Sequence, residues 1–435
     1  MRSKTQLRII AVCILTISLA APYPAGAYSV LTHEAIVDSV WETHILPLLL
    51  QRFPTATKDE LRKAHAYAYG GAIIQDMGYY PHGDKFFSDL VHYIRSGDFI
   101  EALLRDSENL NEYAFAIGAM AHYASDNSGH RLATNLAVPI LYPKLQRKYG
   151  KVVTYEDDPL AHVKTEFGFD VLEVAKGRYA PDSYHDFIGF EVALPLLERA
   201  FQETYGLDLK SVLSNEQHLV NSYRHNVSSL IPMATRIAWN LKQDNIRKDL
   251  PGVTRRKFLY NLSRASYEKE WGNDYQKPSA KEAFLAFLYR ILPKIGPLRV
   301  LAFHTPTPET EKLFENSFNV TLERYRTYMT ELRKGEVELP NDNFDVGETT
   351  APGIYRLSDV TCVRLLNKLA EKDFADTSPE LRAQLLRFFS SSDVPAFAKL
   401  TEKERARLKS EVLRLENISA APSVTKNENI GTNPE

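Results

Sequence analysis

The sequence predicts an all-α protein, and two observations carry that prediction. Apolar residues recur at helical spacing through most of the 435 residues. Alternating apolar and polar patterns of the kind that half-buried strands show are nearly absent, as are the paired turns of hairpins. The clearest predicted helices cover residues 35–50, 58–74, 108–124, 160–175 and 190–205.

The first 27 residues have the composition of a signal peptide. Three basic residues precede an apolar run over residues 9–21, and the small-residue pattern Ala25-Gly26-Ala27 follows. The apolar run is shorter than the roughly 20 residues that a membrane-spanning helix needs. We therefore expect cleavage after residue 27, Tyr28 as the new first residue, and a secreted or periplasmic protein.

Removal of this leader leaves 408 residues with 50 basic and 55 acidic side chains, a formal charge of −5. Such a chain has no global basic field, so no stable nucleic-acid complex is expected. Only Cys362 remains of the two cysteines, which excludes an internal disulfide in the cleaved chain. Stability is expected to come from packing and from bound metal, and no protein partner can be inferred.

The distribution of histidine divides the chain. Nine of the twelve histidines lie between His33 and His185, so residues 28–207 are predicted to form the domain that carries the chemistry. Residues 208–419 have long helical patterns with charged outer faces and are predicted to form a helical companion domain. The polar stretch 420–435 is predicted to be a disordered tail.

Turn-forming residues separate the predicted helices. Gly, Pro and Asp are concentrated at residues 78–84, and Pro, Asn, Asp and Gly at residues 339–355. These residue types favour turns and loops rather than helices. Both stretches are therefore predicted to be connections.

Metal-ligand residues recur at helical spacing in the first half of the chain. His122, Asp126 and His130 are spaced four and four, and His162 and Glu166 are spaced four. Residues at i and i+4 lie on one helix face, so each set can direct imidazole and carboxylate groups to one point. Imidazole and carboxylate ligands without thiolate are typical of a hydrolytic zinc site that keeps a position open for water. This pattern predicts a hydrolase.

A lone histidine on a helix is more often an ordinary core or surface residue than a ligand. Residues 119–124, however, form an apolar segment that should be buried, so His122 and its neighbours on the same face would be buried as well. Burying unpaired polar groups costs free energy, and a bound cation would remove that cost. The repeated spacing therefore favours a metal site.

Three further candidates precede this helix. His33 lies near the start of the first predicted helix, so it and the amino group of Tyr28 could reach the same metal. Asp76 is predicted to end a helix before a turn, and His92 lies on another predicted helix. His82, in the turn between them, is an alternative to His92.

In this order the residues resemble the bacterial zinc-dependent phospholipase C family and its relatives, the single-strand-specific zinc nucleases. Both families are all-α enzymes with a trinuclear zinc cluster. Their ligands are an N-terminal aromatic residue, then His, Asp, His, a His-x3-Asp pair, His, and a final His-x3-Glu or His-x3-Asp pair. The matching positions here are Tyr28, His33, Asp76, His92, His122, Asp126, His130, His162 and Glu166.

The resemblance implies a phospholipase C or nuclease-like helical domain with an additional C-terminal helical domain, and up to three zinc ions. Asp126 and His130 are four positions apart where the relatives usually have six, so the helix geometry near His130 should differ. The implied ligand sets are Asp76, His92, His122 and Asp126; His130, His162 and Glu166; and Tyr28, His33 and the shared Asp126.

The implied activity is zinc-dependent phosphodiester hydrolysis, most simply phospholipase C-like, by a zinc-bound hydroxide. Asp76 would orient the attacking water or take its proton, or act only as a ligand. The expected substrate is a phospholipid or other phosphodiester, with transient contact with a membrane surface. A single-strand-specific nuclease of the same fold, and an exported metal-binding protein without catalysis, are the alternatives.

Overall fold

The computed structural model describes most of the chain between residues 29 and 418. The continuous described ranges are 29–80, 82–175, 190–213, 215–227, 302–390 and 400–418. Five single positions outside these ranges are also described: 234, 237, 238, 300 and 397. The predicted leader, Tyr28 and the predicted tail lie outside the described residues.

The described part of the chain is helical almost throughout, which confirms the all-α prediction. The helices of the first half are α1 Val30–Val40, α2 Leu46–Arg52, α3 Lys58–Gly71, α4 Lys85–Tyr93, α5 Ser96–Asp106, α6 Leu110–Gly129, α7 Asn135–Leu141, α8 Pro143–Tyr149, α9 Pro159–Ala175 and α10 Leu194–Tyr205. Those that follow are α11 Leu209–Val212, α12 Glu216–His225, α13 Pro308–Lys334, α14 Arg356–Ala370, α15 Pro379–Phe389 and α16 Glu402–Glu416.

Among the described residues before α10, three short helical segments depart from α-helical geometry. Trp41–Ile45 is a π-helical turn between α1 and α2, and Ile74–Tyr79 is a 3-10 helix. His130–Thr134 is a second π-helical turn, directly after α6. Asp76 therefore lies inside a 3-10 helix rather than at the end of an α-helix, because α3 ends at Gly71.

Helix α6 is the central element, and its start follows from a local cap. The side chain of Asn109 accepts hydrogen bonds from the backbone N–H groups of Asn111 and Glu112 at 3.1 and 3.0 Å. Such a cap satisfies donors that the first helical turn leaves without partners. From residue 112 to Gly129 every residue of α6 is buried. The helix therefore runs through the core, and its polar residues lie there too.

Two glycines allow α3 and α6 to pack with their backbones almost in contact. A Cβ atom added to Gly118 of α6 would lie 2.0 Å from the carbonyl oxygen of Ala68 in α3. One added to Gly71 would lie 1.9 Å from the carbonyl oxygen of Phe115. Because no side chain fits at these points, the two helices can approach only with glycine there.

The substitution Gly118→Ala is expected to destabilise the protein by about 1–3 kcal/mol, because the added methyl group forces α3 and α6 apart. Urea unfolding of the wild type and the variant measures the difference. Zinc content, determined on the same samples, should also fall because the next turn of α6 carries His122. An unchanged free energy of unfolding would show that α3 and α6 can separate without cost, and the close backbone contact would then not require glycine.

The hydrophobic core is continuous across residue 207. One cluster of buried side chains includes Phe115 of α6 together with Phe314 and Phe318 of α13. Tyr325 of α13 donates a hydrogen bond to the carbonyl oxygen of Ile117 at 2.9 Å. Helix α13 is thus packed on the helix at the centre of the first half, and the division into two domains at residue 207 stays a prediction.

The predicted connection at residues 339–355 contains a small β-hairpin. Strand β1, Asp342–Asn343, pairs antiparallel with β2, Glu348–Thr349, and Asp342 lies opposite Thr349. The hydroxyl of Thr350 donates to the backbone oxygen of Tyr93, at the end of α4. The hairpin is thereby fixed against the first half of the chain.

Among the described residues, no helix has the length and apolar character needed to cross a membrane.

Candidate metal centre

The carboxylate of Asp126 lies at the centre of a group of histidines. It is fully buried on α6, one helical turn after His122. Four imidazole Nε2 atoms lie within 3.6 Å of its two oxygens, although the histidines come from three different helices and a π-helical turn. The distances are 3.6 Å from His33 to Oδ1, and 3.4 Å from His92, 3.1 Å from His122 and 3.6 Å from His130 to Oδ2.

The Nδ1 atoms of these histidines face protein groups. Those of His92 and His122 donate to the backbone oxygens of Ser88 and Ala72, at 2.8 and 2.9 Å. A carbonyl oxygen only accepts, so Nδ1 carries the proton and Nε2 keeps its lone pair. Fixing the tautomer through the second nitrogen is how proteins orient histidine ligands toward a metal.

The same logic applies to His33. Its Nδ1 lies 2.9 Å from the hydroxyl of Ser125, and that hydroxyl donates its proton to the backbone oxygen of His122 at 2.8 Å. The hydroxyl therefore accepts from His33. The rings of His33 and His122 are stacked with centroids 4.4 Å apart. Both Nε2 atoms are thereby held toward Asp126.

Asp76 joins this group from the opposite side. Its Oδ1 lies 3.3 Å from Nε2 of His92, and that nitrogen is 3.4 Å from Nε2 of His122. The 3-10 helix that carries Asp76 is held against α4, because the hydroxyl of Ser88 donates to the backbone oxygen of Gln75. Two carboxylates and two imidazoles therefore converge at one point.

A second point of convergence lies on α9. Nε2 of His162 is 2.7 Å from Oε1 of Glu166, one helical turn further along. The ring of His130 stacks on that of His162 with centroids 4.7 Å apart. His130 thus contacts both Asp126 and the α9 pair, and it connects the two parts of the site.

The described residues contain three groups of histidine and carboxylate side chains that can hold a metal ion. Within each group one ligand atom from every residue lies within 4.8 Å of the others, and all members are buried. The groups are His33, His122 and Asp126; Asp76, His92 and His122; and His130, His162 and Glu166.

The donor atoms of these groups fit a metal ion. Among the described residues, several buried polar atoms of the site have no hydrogen-bond partner. Buried polar atoms are normally paired, since leaving them unpaired costs free energy. Nitrogen and oxygen donors without sulfur suit zinc. The atoms without a hydrogen-bond partner are Oδ1 of Asp76, both oxygens of Asp126, both ring nitrogens of His130 and His162, and Oε1 of Glu166.

The pKa shifts of two residues of the site also favour a bound cation. Burial raises the pKa of Glu166 well above its ordinary value, and nearby Asp126 raises it further. Burial lowers the pKa of His162 well below its ordinary value, and His130 adds to this. Protein groups alone therefore favour a protonated Glu166 and a neutral His162. A divalent cation would favour the ionised carboxylate and the neutral imidazole, which are the forms that bind metals.

Asp126 differs from Glu166 in its surroundings. Burial raises the pKa of Asp126, but the close imidazole of His122, and after it those of His130 and His92, outweigh this and hold the pKa well below its ordinary value. Burial lowers the pKa of His92, yet its contacts with Asp126 and Asp76 raise it to about 10. Protein groups alone thus favour an ionised Asp126 beside a protonated His92, and a bound cation would replace that proton and leave the neutral imidazole as ligand.

The structure brings together eight of the nine residues that the resemblance implies as ligands. The ninth, Tyr28, lies outside the described residues. His82 belongs to none of the three groups. It is exposed, has a backbone φ of 72°, and contacts the ring of His218 at a centroid distance of 4.7 Å. The described geometry places His92, and not His82, in the site.

Sequence analysis missed two carboxylates near the site. Asp170 continues the row of His162 and Glu166 on α9 by one more helical turn, a spacing that could have revealed it. Its carboxylate accepts hydrogen bonds from the backbone N–H of Leu31 at 3.0 Å and from the hydroxyl of Thr32 at 2.7 Å. It thereby connects α9 to the start of α1, which carries His33.

Asp345 is the second missed carboxylate. It lies in the hairpin after α13 and is 1% exposed, with Oδ1 only 3.1 Å from Nδ1 of His130. Its neighbour Phe344 packs on the rings of His92 and His122 at centroid distances of 5.1 and 6.1 Å. No local spacing rule connects a single aspartate in a loop to a histidine 215 positions earlier.

Another buried carboxylate and histidine pair lies outside the three groups. Nε2 of His65 is 3.0 Å from Oδ1 of Asp38, and the His65 ring stacks on Trp41 with centroids 3.6 Å apart. Burial lowers the pKa of His65 from its ordinary value, although Asp38 partly opposes this. The neutral imidazole is therefore the form that the fold favours.

Acidification is expected to destabilise the protein through His65. Because its pKa is lower in the folded state than in the unfolded chain, its contribution to stability is complete above the ordinary value of about 6.5 and is lost as the pH falls below it. The variant His65→Gln should show a weaker loss of unfolding free energy between about pH 8 and pH 5. The measurements are made in the presence of a chelator, so that release of metal at low pH does not contribute. The variant His225→Gln, at an exposed histidine, is the control. A variant that loses as much stability as the wild type would contradict the assignment.

The fold and the site together define an all-α protein with a buried centre of histidine and carboxylate side chains able to hold metal ions. Residues 32–215 match the family model described as zinc dependent phospholipase C. This match confirms the resemblance of residues 32–215 to the zinc-dependent phospholipase C family. No curated protein and no solved structure matched the chain.

The matched region contains every described member of the three groups, from His33 to Glu166. The match supports a zinc-dependent hydrolase of the phospholipase C type in general. The matched region ends at residue 215, so Asp345 and the hairpin that carries it lie outside it.

Proposed function

We propose that the protein is an exported zinc-dependent phosphodiester hydrolase of the phospholipase C type. The observation that carries the proposal is the Asp126 carboxylate with four histidine Nε2 atoms within 3.6 Å, inside the region that matches the family. A buried carboxylate so surrounded suits a ligand shared between metal ions. In this proposal the leader at residues 1–27 directs export.

The proposed ligands form three sets. His130, His162 and Glu166 bind one zinc ion, and Asp76, His92, His122 and Asp126 bind another. His33, with Asp126 and the terminal residue Tyr28, binds a third. Bound zinc supplies Lewis acidity, which lowers the pKa of water and stabilises charge on the phosphoryl oxygens.

Asp76 is the proposed catalytic residue. Its Oδ1 has no hydrogen-bond partner among the described residues, and burial raises the pKa of its carboxyl group. A carboxylate with a raised pKa accepts a proton more readily, which suits a group that takes a proton from attacking water. The role proposed for Asp76 is to orient that water and accept its proton.

Two buried tyrosines lie beside the proposed metal ligands. The ring of Tyr79 is 5.8 Å from that of His92, and the ring of Tyr155 is 5.6 Å from that of His162. The Lys85 ammonium, 45% exposed, lies 5.9 and 5.4 Å from the two tyrosine ring centroids. The two tyrosines are 4% and 6% exposed, so in the proposal the exposed Lys85 contacts the substrate next to the scissile phosphodiester.

Lys85 and the tyrosines also support the second candidate, a nuclease that acts on single strands. Aromatic rings with local positive charge are what such enzymes use to stack bases and hold the backbone. Against it stands the formal charge of −2 for the whole chain, which offers no long-range attraction for nucleic acid. A phospholipid, met in transient contact with a membrane surface, is therefore the proposed substrate.

The test combines metal analysis with a substrate comparison. Zinc per chain would be determined for the wild type, for His122→Ala and for the exposed control His225→Ala, with hydrolysis of a chromogenic phosphodiester measured on the same samples. Phosphatidylcholine vesicles and single-stranded DNA would then be compared. Zinc and hydrolysis should fall together in His122→Ala only, and vesicles should be the better substrate.

The other outcomes separate the alternatives. Preferred cleavage of single-stranded DNA would replace the phospholipase proposal with the nuclease. Zinc without hydrolysis of any phosphodiester would identify a metal-binding protein that has no catalytic activity. A wild-type chain without zinc would contradict the proposal as a whole.

A further inference from the structure

The hairpin at residues 342–349 contributes a carboxylate to the proposed metal centre. Asp345 lies between β1 and β2, is 1% exposed, and has Oδ1 3.1 Å from Nδ1 of His130. Nε2 of the same histidine lies 3.6 Å from Asp126. His130 is therefore held between two carboxylates, one on each ring nitrogen.

The second oxygen of Asp345 is held by two phenols. Oδ2 accepts a hydrogen bond from the hydroxyl of Tyr93 at 3.1 Å and a short one from that of Tyr355. The two tyrosine rings pack against each other with centroids 5.4 Å apart. Phenol donors satisfy one side of a buried carboxylate and leave the other side for a cationic or N–H partner. The carboxylate is thus oriented toward His130.

The backbone of the hairpin is fixed to α7, which follows the π-helical turn of His130, and to α4, which carries His92. Nδ2 of Asn135, in the first turn of α7, donates to the backbone oxygen of Asp345 at 2.7 Å. The backbone N–H of Phe344 donates to the backbone oxygen of His92 at 3.1 Å. These bonds set the position of Asp345 from both sides of the site.

Gly347 lets the hairpin approach this closely. Its φ of +67° lies in the left-handed region, which glycine adopts without strain. A Cβ atom there would also lie 2.9 Å from the backbone oxygen of Asn127 in α6. The hairpin therefore packs directly on the helix that carries Asp126.

We propose that Asp345 is a positioning residue for His130. A carboxylate oxygen accepts hydrogen bonds, so its contact at 3.1 Å favours the proton on Nδ1 and leaves the Nε2 lone pair for zinc. The Nδ1 atoms of His33, His92 and His122 face a serine hydroxyl and backbone oxygens. Nδ1 of His162 has no hydrogen-bond partner among the described residues, so His130 is the described histidine of the site with a carboxylate at Nδ1. This inference rests on the proposed role of His130 as a zinc ligand.

The inference extends the site beyond the family match, which ends at residue 215. The first half of the chain supplies the described ligand atoms, and the segment after α13 supplies the group that orients one of them. Residues 339–355 thereby become part of the metal centre and not only a connection.

The experiment measures zinc affinity and not activity. Full-length wild type, Asp345→Asn and the control Asp359→Asn would be titrated with zinc against a chromophoric chelator. Asp359 is a buried carboxylate of α14 that accepts from the backbone N–H of Gly353 and belongs to none of the three groups. Asp345→Asn should bind its weakest zinc about 10–100-fold less tightly, as loss of such a partner does elsewhere. Zinc per chain at saturation should equal that of the wild type, and Asp359→Asn should keep wild-type affinity.

A second variant and a second measurement separate positioning from structural support. Tyr355→Phe removes one hydrogen bond to Asp345 and leaves its contact with His130, so a smaller loss of affinity is expected. Urea unfolding of the metal-free proteins reports stability by itself. A loss of stability in Asp345→Asn with unchanged zinc affinity would reduce the role to structural support and overturn the proposal.

Two further results would also overturn the proposal. Loss of one whole zinc per chain at saturation would make Asp345 a ligand and not a positioning residue. A wild type without zinc would contradict the proposed function, and this inference with it. If the wild type binds zinc and Asp345→Asn binds it equally well, only the inference fails.

Discussion

The substitution Asp126→Asn is expected to have the largest effect on this protein. Asparagine has nearly the same shape but no charge, and one of the two oxygens that face the four histidine Nε2 atoms becomes an NH₂ group. Metal-ion catalysis supplies several kcal/mol of charge stabilisation, so hydrolysis should fall by about a thousandfold or more. At least one zinc per chain should be lost. Elemental analysis and phosphodiester hydrolysis on the same sample measure both effects.

Asp38→Asn is the matched control for Asp126→Asn. Asp38 is also a buried carboxylate paired with a histidine, at 3.0 Å from Nε2 of His65, but it belongs to none of the three groups. This variant should lose stability and keep its zinc. Equal zinc content in Asp126→Asn and the wild type would remove Asp126 from the centre of the proposed site.

Removal of zinc is expected to have the next largest effect, on stability. Metal bound only to the folded state stabilises it by about 4 kcal/mol for each site when free zinc is a thousand times its Kd. Without metal, buried polar atoms of Asp126, His162 and Glu166 have no hydrogen-bond partner among the described residues, which costs free energy. A chelator should therefore lower the midpoint of thermal unfolding sharply, and added zinc should restore it.

The variants Asp126→Asn and Asp38→Asn also serve as controls for the removal of zinc. Asp126→Asn should respond much less to the chelator, because it has less metal to lose. Asp38→Asn should respond as strongly as the wild type, from a lower starting stability. A wild type whose unfolding midpoint is the same with and without chelator would show that the fold does not depend on a bound ion.

Local spacing explains what could be predicted from the sequence. Helices impose i, i+4 neighbours, so His122 could be paired with Asp126, and His162 with Glu166, from their spacing alone. In the folded protein each pair is in contact. His130 also lies near Asp126, although the helix changes to π geometry at that residue. Spacing arguments assume a regular α-helix, so they did not predict the π-helical turn.

Contacts between distant segments explain what could not be predicted. Asp345 reaches His130 because a hairpin packs on α6, and that packing depends on a positive φ at Gly347 and on side chains such as Asn135. None of these features leaves a periodic pattern near Asp345. Asp170 is different, because it follows Glu166 on α9 at the same spacing of four. The i, i+4 rule could therefore have placed it beside His162 and Glu166.

The order of the site residues along the chain has a consequence for assembly. His33 lies near the start of the described chain and Asp345 comes more than 300 positions later. Closing so long a loop costs conformational entropy that grows slowly with loop length, about 0.6 kcal/mol for each doubling. A metal ion bound at this centre would act as a cross-link between the segments from His33 to Glu166, and Asp345 joins the later segment to them through His130. An incomplete chain holds many of the same histidines without their final geometry, so tight metal binding marks the completion of folding.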